Sequence, residues 1–314
     1  MTPLLDIENL ELAVRGDPVV HGVSACVQAG EITAVVGESG SGKTLTALAA
    51  IGLLPPAIEM TGGDIRIEGE SCTGFTSSQW RAMRGRRVAM VFQEPMTALD
   101  PVFTVDELLR EVLALDGITG RTARERSMAL LEEVRIPDPA RCLRSAPHQL
   151  SGGMRQRVVI ALALARSPSL LLADEPTTAL DALTQEAVLD LFDDLRRSRG
   201  LGILLITHDL GLVAHRVQRL VVLHAGRTCE SGSARSVLEN PRHPYTRGLF
   251  SCRLPVDHRQ ADLARLEDLL ADPGAWDPQP SEEGPVRPWW PSEEGQDAAS
   301  PRLVSVGPDH LLAV

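Results

Sequence analysis

Lysine and tyrosine each occur once in the 314 residues, as Lys43 and Tyr245, and asparagine only twice, as Asn9 and Asn240. Thirty of the 31 basic side chains are therefore arginine. Such a skew follows from codon composition and excludes no function, but it makes the one surviving lysine conspicuous. The five cysteines (Cys26, Cys72, Cys142, Cys229 and Cys252) are scattered without CxxC spacing. Neither a disulfide framework nor a cysteine zinc site is indicated. The amino-terminal MTPLLDIENLEL lacks the basic and apolar regions of a signal peptide. The longest helix-like apolar run, Val158 to Ala165, lies between Arg157 and Arg166 and is too short to cross a bilayer. Positive charge is in deficit too. Against 42 acidic residues the net charge is −11, which argues against nucleic-acid binding by bulk charge. These absences predict a soluble, cytoplasmic chain that reaches a membrane only through a partner.

Hydrophobic residues make up 43% of the chain, enough for a core, and the length suits two domains or one domain with attachments. The last 64 residues differ from the first 250. From Ser251 onward there are 12 acidic and 5 basic residues, with 9 of the 22 prolines and 3 of the 4 tryptophans. Pro280-Ser-Glu-Glu-Gly284 recurs as Pro291-Ser-Glu-Glu-Gly295, flanking Arg287-Pro-Trp-Trp290. The expectation is one domain over residues 1–250, then an acidic Pro/Trp-containing extension, 251–314, largely disordered. Within it only Gln260 to Leu270 has helical spacing.

In the body, short apolar runs alternate with longer amphipathic stretches. Ile32 to Val36, Val88 to Phe92, Leu170 to Ala173, Ile203 to Thr207 and Leu220 to Leu223 read as buried strands. Leu45 to Leu53, Thr184 to Arg197 and Gly211 to Val217 read as helices. The alternation predicts an α/β fold with a parallel sheet covered on both faces. Asp106 to Leu115 and Thr122 to Val134 are helical with no strand between them, which predicts a helical insertion over about residues 95–165. Arg84, Arg86 and Arg87 read as a solvated basic face.

The strand at Ile32 to Val36 runs into Gly37-Glu38-Ser39-Gly40-Ser41-Gly42-Lys43-Thr44 and then a helix. This is GxxxxGK[ST] in its strand–loop–helix setting. Gly37, Gly40 and Gly42 let backbone N–H groups turn inward around phosphate oxygens, and the helix adds its positive end. Lys43 suits β- and γ-phosphates as a compact ammonium on a flexible stem, where a planar guanidinium would not fit the same way. Thr44 can offer its hydroxyl to Mg²⁺. Leu170 to Glu175 is an apolar strand ending in two acids. There Asp174 is placed to hold Mg²⁺ and Glu175 to polarise an attacking water. Ser151, Gly152 and Gly153 open an Ala/Leu-rich helix whose bare N-terminus is a second anion site, suited to a neighbouring subunit's nucleotide. Gln93 and His208 stand where strands end, the edge at which parallel sheets bind ligands.

In this order the motifs resemble the nucleotide-binding subunit of an ATP-binding cassette (ABC) transporter, over roughly residues 4–250. They comprise Walker A (Gly37 to Thr44), a Q-loop at Gln93, the signature Leu150-Ser-Gly-Gly-Met154, and Walker B with Glu175. A D-loop at Ala179-Leu180-Asp181 and the switch His208 complete them. Gln93-Glu-Pro-Met-Thr-Ala-Leu-Asp-Pro101, Pro147-His-Gln-Leu-Ser151 and His243-Pro-Tyr-Thr246 are similar to the oligopeptide/dipeptide/nickel importer family. The resemblance implies a P-loop NTPase of the ABC type: a RecA-like parallel-sheet core, an antiparallel β subdomain and an α-helical insertion. It implies that ATP and Mg²⁺ are bound, with Gln93 linking the γ-phosphate and Mg²⁺ to the helical insertion and His208 contacting the γ-phosphate. Ser151 to Gly153 would close over ATP held by the facing subunit.

The implied partners are a second ABC ATPase subunit, identical or not, two transmembrane permease subunits and an extracytoplasmic solute-binding protein, with no nucleic acid. The implied place is the cytoplasmic face of the membrane, as a peripheral subunit. The expected work is ATP hydrolysis coupled to uptake of di- and oligopeptides, with nickel or a nickel chelate as the alternative solute. A soluble ABC ATPase acting on ribosomes or DNA is the reading from another class. It fits less well a chain with one cassette and no sustained heptads. Two departures from the family stand out. The adenine-stacking aromatic would fall near Val14, yet no aromatic occurs in residues 1–74. The phosphates are therefore expected to carry more of the affinity. Only Cys252 follows the His-Pro-Tyr-Thr motif, so no iron–sulfur cluster is expected.

Overall fold

The computed structural model describes residues 2–93, 98–178, 180–209, 211, 214–251, 276–290 and 301–314. The chain folds as two compact units. The first comprises Met1–Leu5, Val27–Glu31 and Ile67–Ile206, the second Asp6–Cys26, Ile32–Arg66 and Thr207–Val314. In chain order the elements begin β1 (Leu5–Val14), β2 (Asp17–Val27), β3 (Ile32–Val36), α1 (Lys43–Ala50), β4 (Ile58–Ile67) and β5 (Glu70–Ser71). Next come α2 (Ser77–Met83), β6 (Val88–Val91), α3 (Val105–Ala114), α4 (Gly120–Glu133), α5 (Pro139–Arg144) and α6 (Gly152–Leu164). They continue with β7 (Leu170–Asp174), α7 (Ala182–Arg199), β8 (Gly202–Thr207), β9 (Arg219–His224) and β10 (Arg227–Ser233). The chain closes with α8 (Ala234–Glu239), α9 (Pro244–Ser251), β11 (Leu303–Gly307) and β12 (His310–Ala313).

In the first unit β6, β7 and β8 run parallel, with Val88 opposite Leu170 and Leu171 opposite Ile203. Every residue of β7 and β8 is buried, as parallel strands covered on both faces require. The helices between β6 and β7 are set by their caps. Thr104 and Glu107 form a capping box on α3, and Asp138 caps α5 just before Pro139. Helix α4 packs against α3, α5 and α6, burying Leu109, Leu113, Leu130, Leu131 and Leu143 among them. The basic face read at Arg84 to Arg87 is in part an ion-pair network. Arg86 and Arg166 both clasp Asp116 at 2.8 Å, and Arg87 pairs with Glu68 at 2.7 Å. The Arg166 hydrogen bond, then that of Arg86, holds the Asp116 carboxyl well below the usual range.

In the second unit the strand order is β11-β12-β10-β9-β3. Strand β3 pairs parallel with β9, with Val35 opposite Val221, while β9, β10, β12 and β11 pair antiparallel in turn. The expectation of a largely disordered extension therefore fails over its described part, which supplies two strands and buries Trp276, Val304, Leu312 and Ala313. Composition misleads here for a physical reason. A segment with too little apolar surface to fold alone can still order by adding strands to a sheet edge that already exists. The expected helix at 260–270 lies outside the described residues, as do positions 212 and 213 of the one expected at Gly211 to Val217; there the described Ala214, His215 and Arg216 form a turn, so that expectation fails over them. No helix among the described residues is long and apolar enough to cross a membrane.

Candidate nucleotide-binding site

The second unit carries the phosphate-loop half. Strand β3 is fully buried and apolar but for Thr33, and the chain leaves it through positions that only glycine can fill. A Cβ on Gly37 would lie 2.1 Å from the carbonyl oxygen of Leu223. Gly42, the N-cap of α1, adopts φ of +96°, where any other residue is strained. The loop wraps back on its lysine. Lys43 is only 5% exposed, and its ammonium donates to the carbonyls of Gly37 at 2.9 Å and Glu38 at 2.7 Å. Ser39 and Gly40 are exposed, and their backbone N–H groups have no hydrogen-bond partner among the described residues. These are free donors at the mouth of a helix N-terminus, the donor set an anionic phosphate chain needs. Thr44 presents an exposed hydroxyl-bearing side chain at the first turn of α1. His208, exposed, follows β8, and the turn after it is fixed by Thr207 Oγ1 accepting from the Asp209 N–H at 3.0 Å.

The first unit carries the acidic half. Asp174 ends β7 and is 4% exposed. Glu175 follows in a left-handed conformation, φ +44°, that a non-glycine residue adopts at a cost of about 1–3 kcal/mol. Its N–H donates to the carbonyl of Ile206 at 3.0 Å, which fixes the turn. Its carboxylate Oε2 accepts from Thr178 Oγ1 at 2.9 Å and from Gln93 Nε2 at 3.3 Å. In the same unit Ser151 caps α6, its hydroxyl accepting from the Met154 N–H at 3.3 Å. Gly153 lies against Thr184, where a Cβ would approach the Thr184 methyl to 2.5 Å. Thr184 is the residue through which Asp181 caps α7, its N–H and Oγ1 donating to Asp181 at 3.1 and 2.7 Å. Those hydrogen bonds, that from Oγ1 first, hold the Asp181 carboxyl below its ordinary value. Ser151, Gly153 and Asp181 thus form one exposed corner of this unit.

Comparison with known proteins places these halves in a family. Residues 20–178 match the family model described as ABC transporter, and a shorter stretch, 145–214, matches one described as AAA domain, putative AbiEii toxin, Type IV TA system. A probable peptide ABC transporter ATP-binding protein of Sinorhizobium fredii is 44% identical over 272 residues, covering 85% of this chain and 81% of that one. The chain belongs to the ABC transporter family. The dipeptide transport ATP-binding protein of Bacillus subtilis is 40% identical over 87% of this chain and 84% of its own. The oligopeptide transport ATP-binding protein of Mycobacterium tuberculosis is 41% identical over all of this chain, which spans about half of that protein, 52%. Among solved structures, an ABC cassette in a dimeric post-hydrolysis state bound to ADP and Pi has a TM-score of 0.65 at 27% identity. It matches 74% of this chain and 99% of that one. CbiO1 of Clostridium perfringens has a TM-score of 0.67 at 23% identity, over 76% of this chain and 92% of its own, and so shares the fold. The α/β P-loop fold of this ABC cassette is that expected from the motifs.

Three contacts of the two halves escape motif reading. Thr178 holds Glu175 from three residues away, a local bond no spacing rule predicts. In the second unit Tyr245 Oη accepts from the Glu38 N–H at 3.1 Å, and His224 Nδ1 lies 4.0 Å from Glu38 Oε2. The signal for Tyr245 was its rarity, as the one tyrosine in the chain, inside His243-Pro-Tyr-Thr246.

Proposed function

We propose that this chain is the ATP-binding and ATP-hydrolysing subunit of an importer that takes up di- and oligopeptides. The observation that carries this reading is the 40–44% identity, over most of the chain, to proteins named as ATP-binding subunits of peptide and dipeptide transporters. The names of these relatives favour peptides over nickel.

Residue by residue, the loop amides from Gly37 to Thr44 and the ammonium of Lys43 bind the β- and γ-phosphates of ATP. The glycines allow the approach, and the short helix α1 adds its positive end. The donor set fits Mg²⁺. Mg²⁺ is a cation held by one or two protein oxygens, phosphates and water, and carboxylate, hydroxyl and amide oxygens are donors of that kind. By the family resemblance, the Asp174 carboxylate, the Thr44 hydroxyl and the Gln93 amide oxygen would hold it. When bound, Mg²⁺ neutralises charge that builds on the phosphate oxygens. Glu175, oriented by Thr178 and Gln93, accepts a proton from the attacking water, and His208 contacts the γ-phosphate. Ser151, Gly152, Gly153 and Asp181 serve ATP bound by a second ATPase subunit, the same or a different chain. Two permease subunits and an extracytoplasmic binding protein complete the complex, which places this chain at the cytoplasmic face of the membrane.

The test is peptide uptake in cells from which the chain has been deleted. Wild-type chain should restore uptake of a labelled di- or oligopeptide, and Lys43→Ala and Glu175→Gln should not. Uptake that is unchanged by the deletion removes peptides from the reading.

A further inference from the structure

The chain is poor in aromatic rings, yet its only tyrosine and two of its four tryptophans meet in one cluster of the second unit. His224 stacks on Trp290 at 4.4 Å and 19°, and Tyr245 lies 4.6 Å from His224 and 5.9 Å from Trp290. Trp276 approaches Trp290 at 5.5 Å and His243 at 5.6 Å. Trp276 and Trp290 belong to the acidic carboxy-terminal extension; His224, His243 and Tyr245 belong to the cassette body. The extension is fastened to the body by backbone bonds as well, through the antiparallel pairing of β12 with β10, and within it the Trp289 N–H donates to the Ala313 carbonyl at 2.9 Å. His243 Nδ1 accepts from the Tyr245 N–H at 3.1 Å, which leaves the proton on Nε2, and that nitrogen donates to the Trp289 carbonyl at 2.8 Å.

One polar atom of this cluster points out of it. Tyr245 is fully buried, and its hydroxyl accepts from the backbone N–H of Glu38, the second residue of the phosphate loop. The bond partner is specific. The Glu38 N–H and the Gly37 C=O are two ends of one peptide unit, and that C=O accepts from the Lys43 ammonium at 2.9 Å. The peptide plane at the mouth of the loop is thus gripped at both ends, by Lys43 on one side and Tyr245 on the other. Lys43 is the group that must turn to phosphate; Tyr245, packed against rings, is the grip that stays. The side chain of Glu38 meets the same cluster through His224, 4.0 Å away.

We propose that Tyr245 is a positioning residue for the phosphate-binding loop, held in place by Trp290, so that the carboxy-terminal extension sets the affinity of the cassette for ATP. The inference rests on the assignment of residues 37–44 to ATP phosphates. Ordering of the extension keeps Trp290 on His224 and Tyr245, keeps the 37–38 peptide in register, and keeps the neighbouring amides of Ser39 and Gly40 preorganised. Loosening the extension loosens the loop. A partner that binds the extension would then change nucleotide affinity without touching the nucleotide.

The test uses the full-length chain with Trp80→Phe, so that the remaining tryptophans all report from the extension. Tyr245→Phe keeps the ring and removes the hydroxyl. It should raise the KM and Kd for ATP by about three- to tenfold, the weight of one hydrogen bond, while kcat at saturating ATP stays near that of the parent. ATP should change the tryptophan emission of the parent, and Tyr245→Phe should abolish that change. Trp290→Ala should weaken ATP binding to a similar extent, and the double variant should be no worse than the weaker single one, as expected of residues acting through one contact. Leu130→Ala, a buried residue of α4, controls for general loss of stability and should leave the KM alone. A KM for Tyr245→Phe equal to the parent's, with the emission change intact, overturns the inference; so do additive effects of the two substitutions. If the parent binds no ATP, or Lys43→Ala binds as the parent does, the loop assignment itself has failed.

Discussion

Gln93 donates from Nε2 to Glu175 Oε2 at 3.3 Å, joining the end of β6 to the residue after β7 across 82 positions of sequence. With Thr178 on the same oxygen, the carboxylate has a fixed direction. Glu175→Gln keeps the size and one acceptor oxygen, replaces the other with an NH2 donor, and cannot take a proton. Turnover should fall by about 100-fold or more while ATP binding is kept. Steady-state hydrolysis beside equilibrium binding measures both. Turnover within a few-fold of wild type would remove Glu175 as the proton acceptor.

Lys43 fills its place through shape as much as charge. Its ammonium reaches two carbonyls of its own loop, a geometry that suits three donors on a compact head. Lys43→Arg keeps the charge and loses the fit. It should weaken ATP binding by about tenfold or more, a loss of roughly 1.4 kcal/mol, in a calorimetric titration. Equal affinity would mean that positive charge alone suffices at this position.

Sequence reading reached the cassette because its chemistry lies in contiguous motifs. The strand at Ile32–Val36 and the helix that Lys43 opens follow directly from a buried apolar run entering a glycine loop. Ser151 read correctly at a helix start, since a capping side chain announces itself locally. What stayed hidden depends on distance. Tyr245 and Glu38 are 207 positions apart, and nothing in either segment names the other. The strands Leu303–Gly307 and His310–Ala313 stayed hidden because composition gauges a segment folding alone, whereas these residues fold onto an edge of β10. Extended pairing of this kind is set by the neighbour.

His243 gives the fold a pH limit. Burial, the largest influence, pushes its pKa down to about 4 from an ordinary value of 6.5, so the ring stays neutral at pH 7 with Nδ1 accepting from the Tyr245 N–H. The sign follows from linkage. The unfolded chain takes up this proton as pH falls through 6.5, the folded chain only near 4, so stability declines between those values. The full effect is about 3 kcal/mol. Urea midpoints between pH 7.5 and 4.5 should fall more steeply for wild type than for His243→Gln. Parallel slopes would show that this imidazole is not the group responsible.

Glu230 is the buried anchor of the extension. It is fully buried on β10, and its carboxylate accepts from the N–H groups of Arg242 at 2.7 Å and His243 at 3.0 Å, and bonds His310 Nε2 at 2.5 Å. One carboxylate therefore ties the start of the His-Pro-Tyr-Thr motif to strand β12. The approach is close, for a Cβ on Gly232 of β10 would lie 2.2 Å from the Asp309 carbonyl oxygen. His310→Leu preserves bulk and removes the bond to the carboxylate, leaving two amide donors to hold a buried charge. The cost should be about 1.5–3 kcal/mol, the weight of a hydrogen bond to a charged group. In Trp80→Phe protein, where tryptophan emission comes from the extension alone, the unfolding midpoint should drop accordingly. An unchanged midpoint would mean that β12 is held by its backbone pairing to β10, and that the Glu230–His310 contact adds nothing.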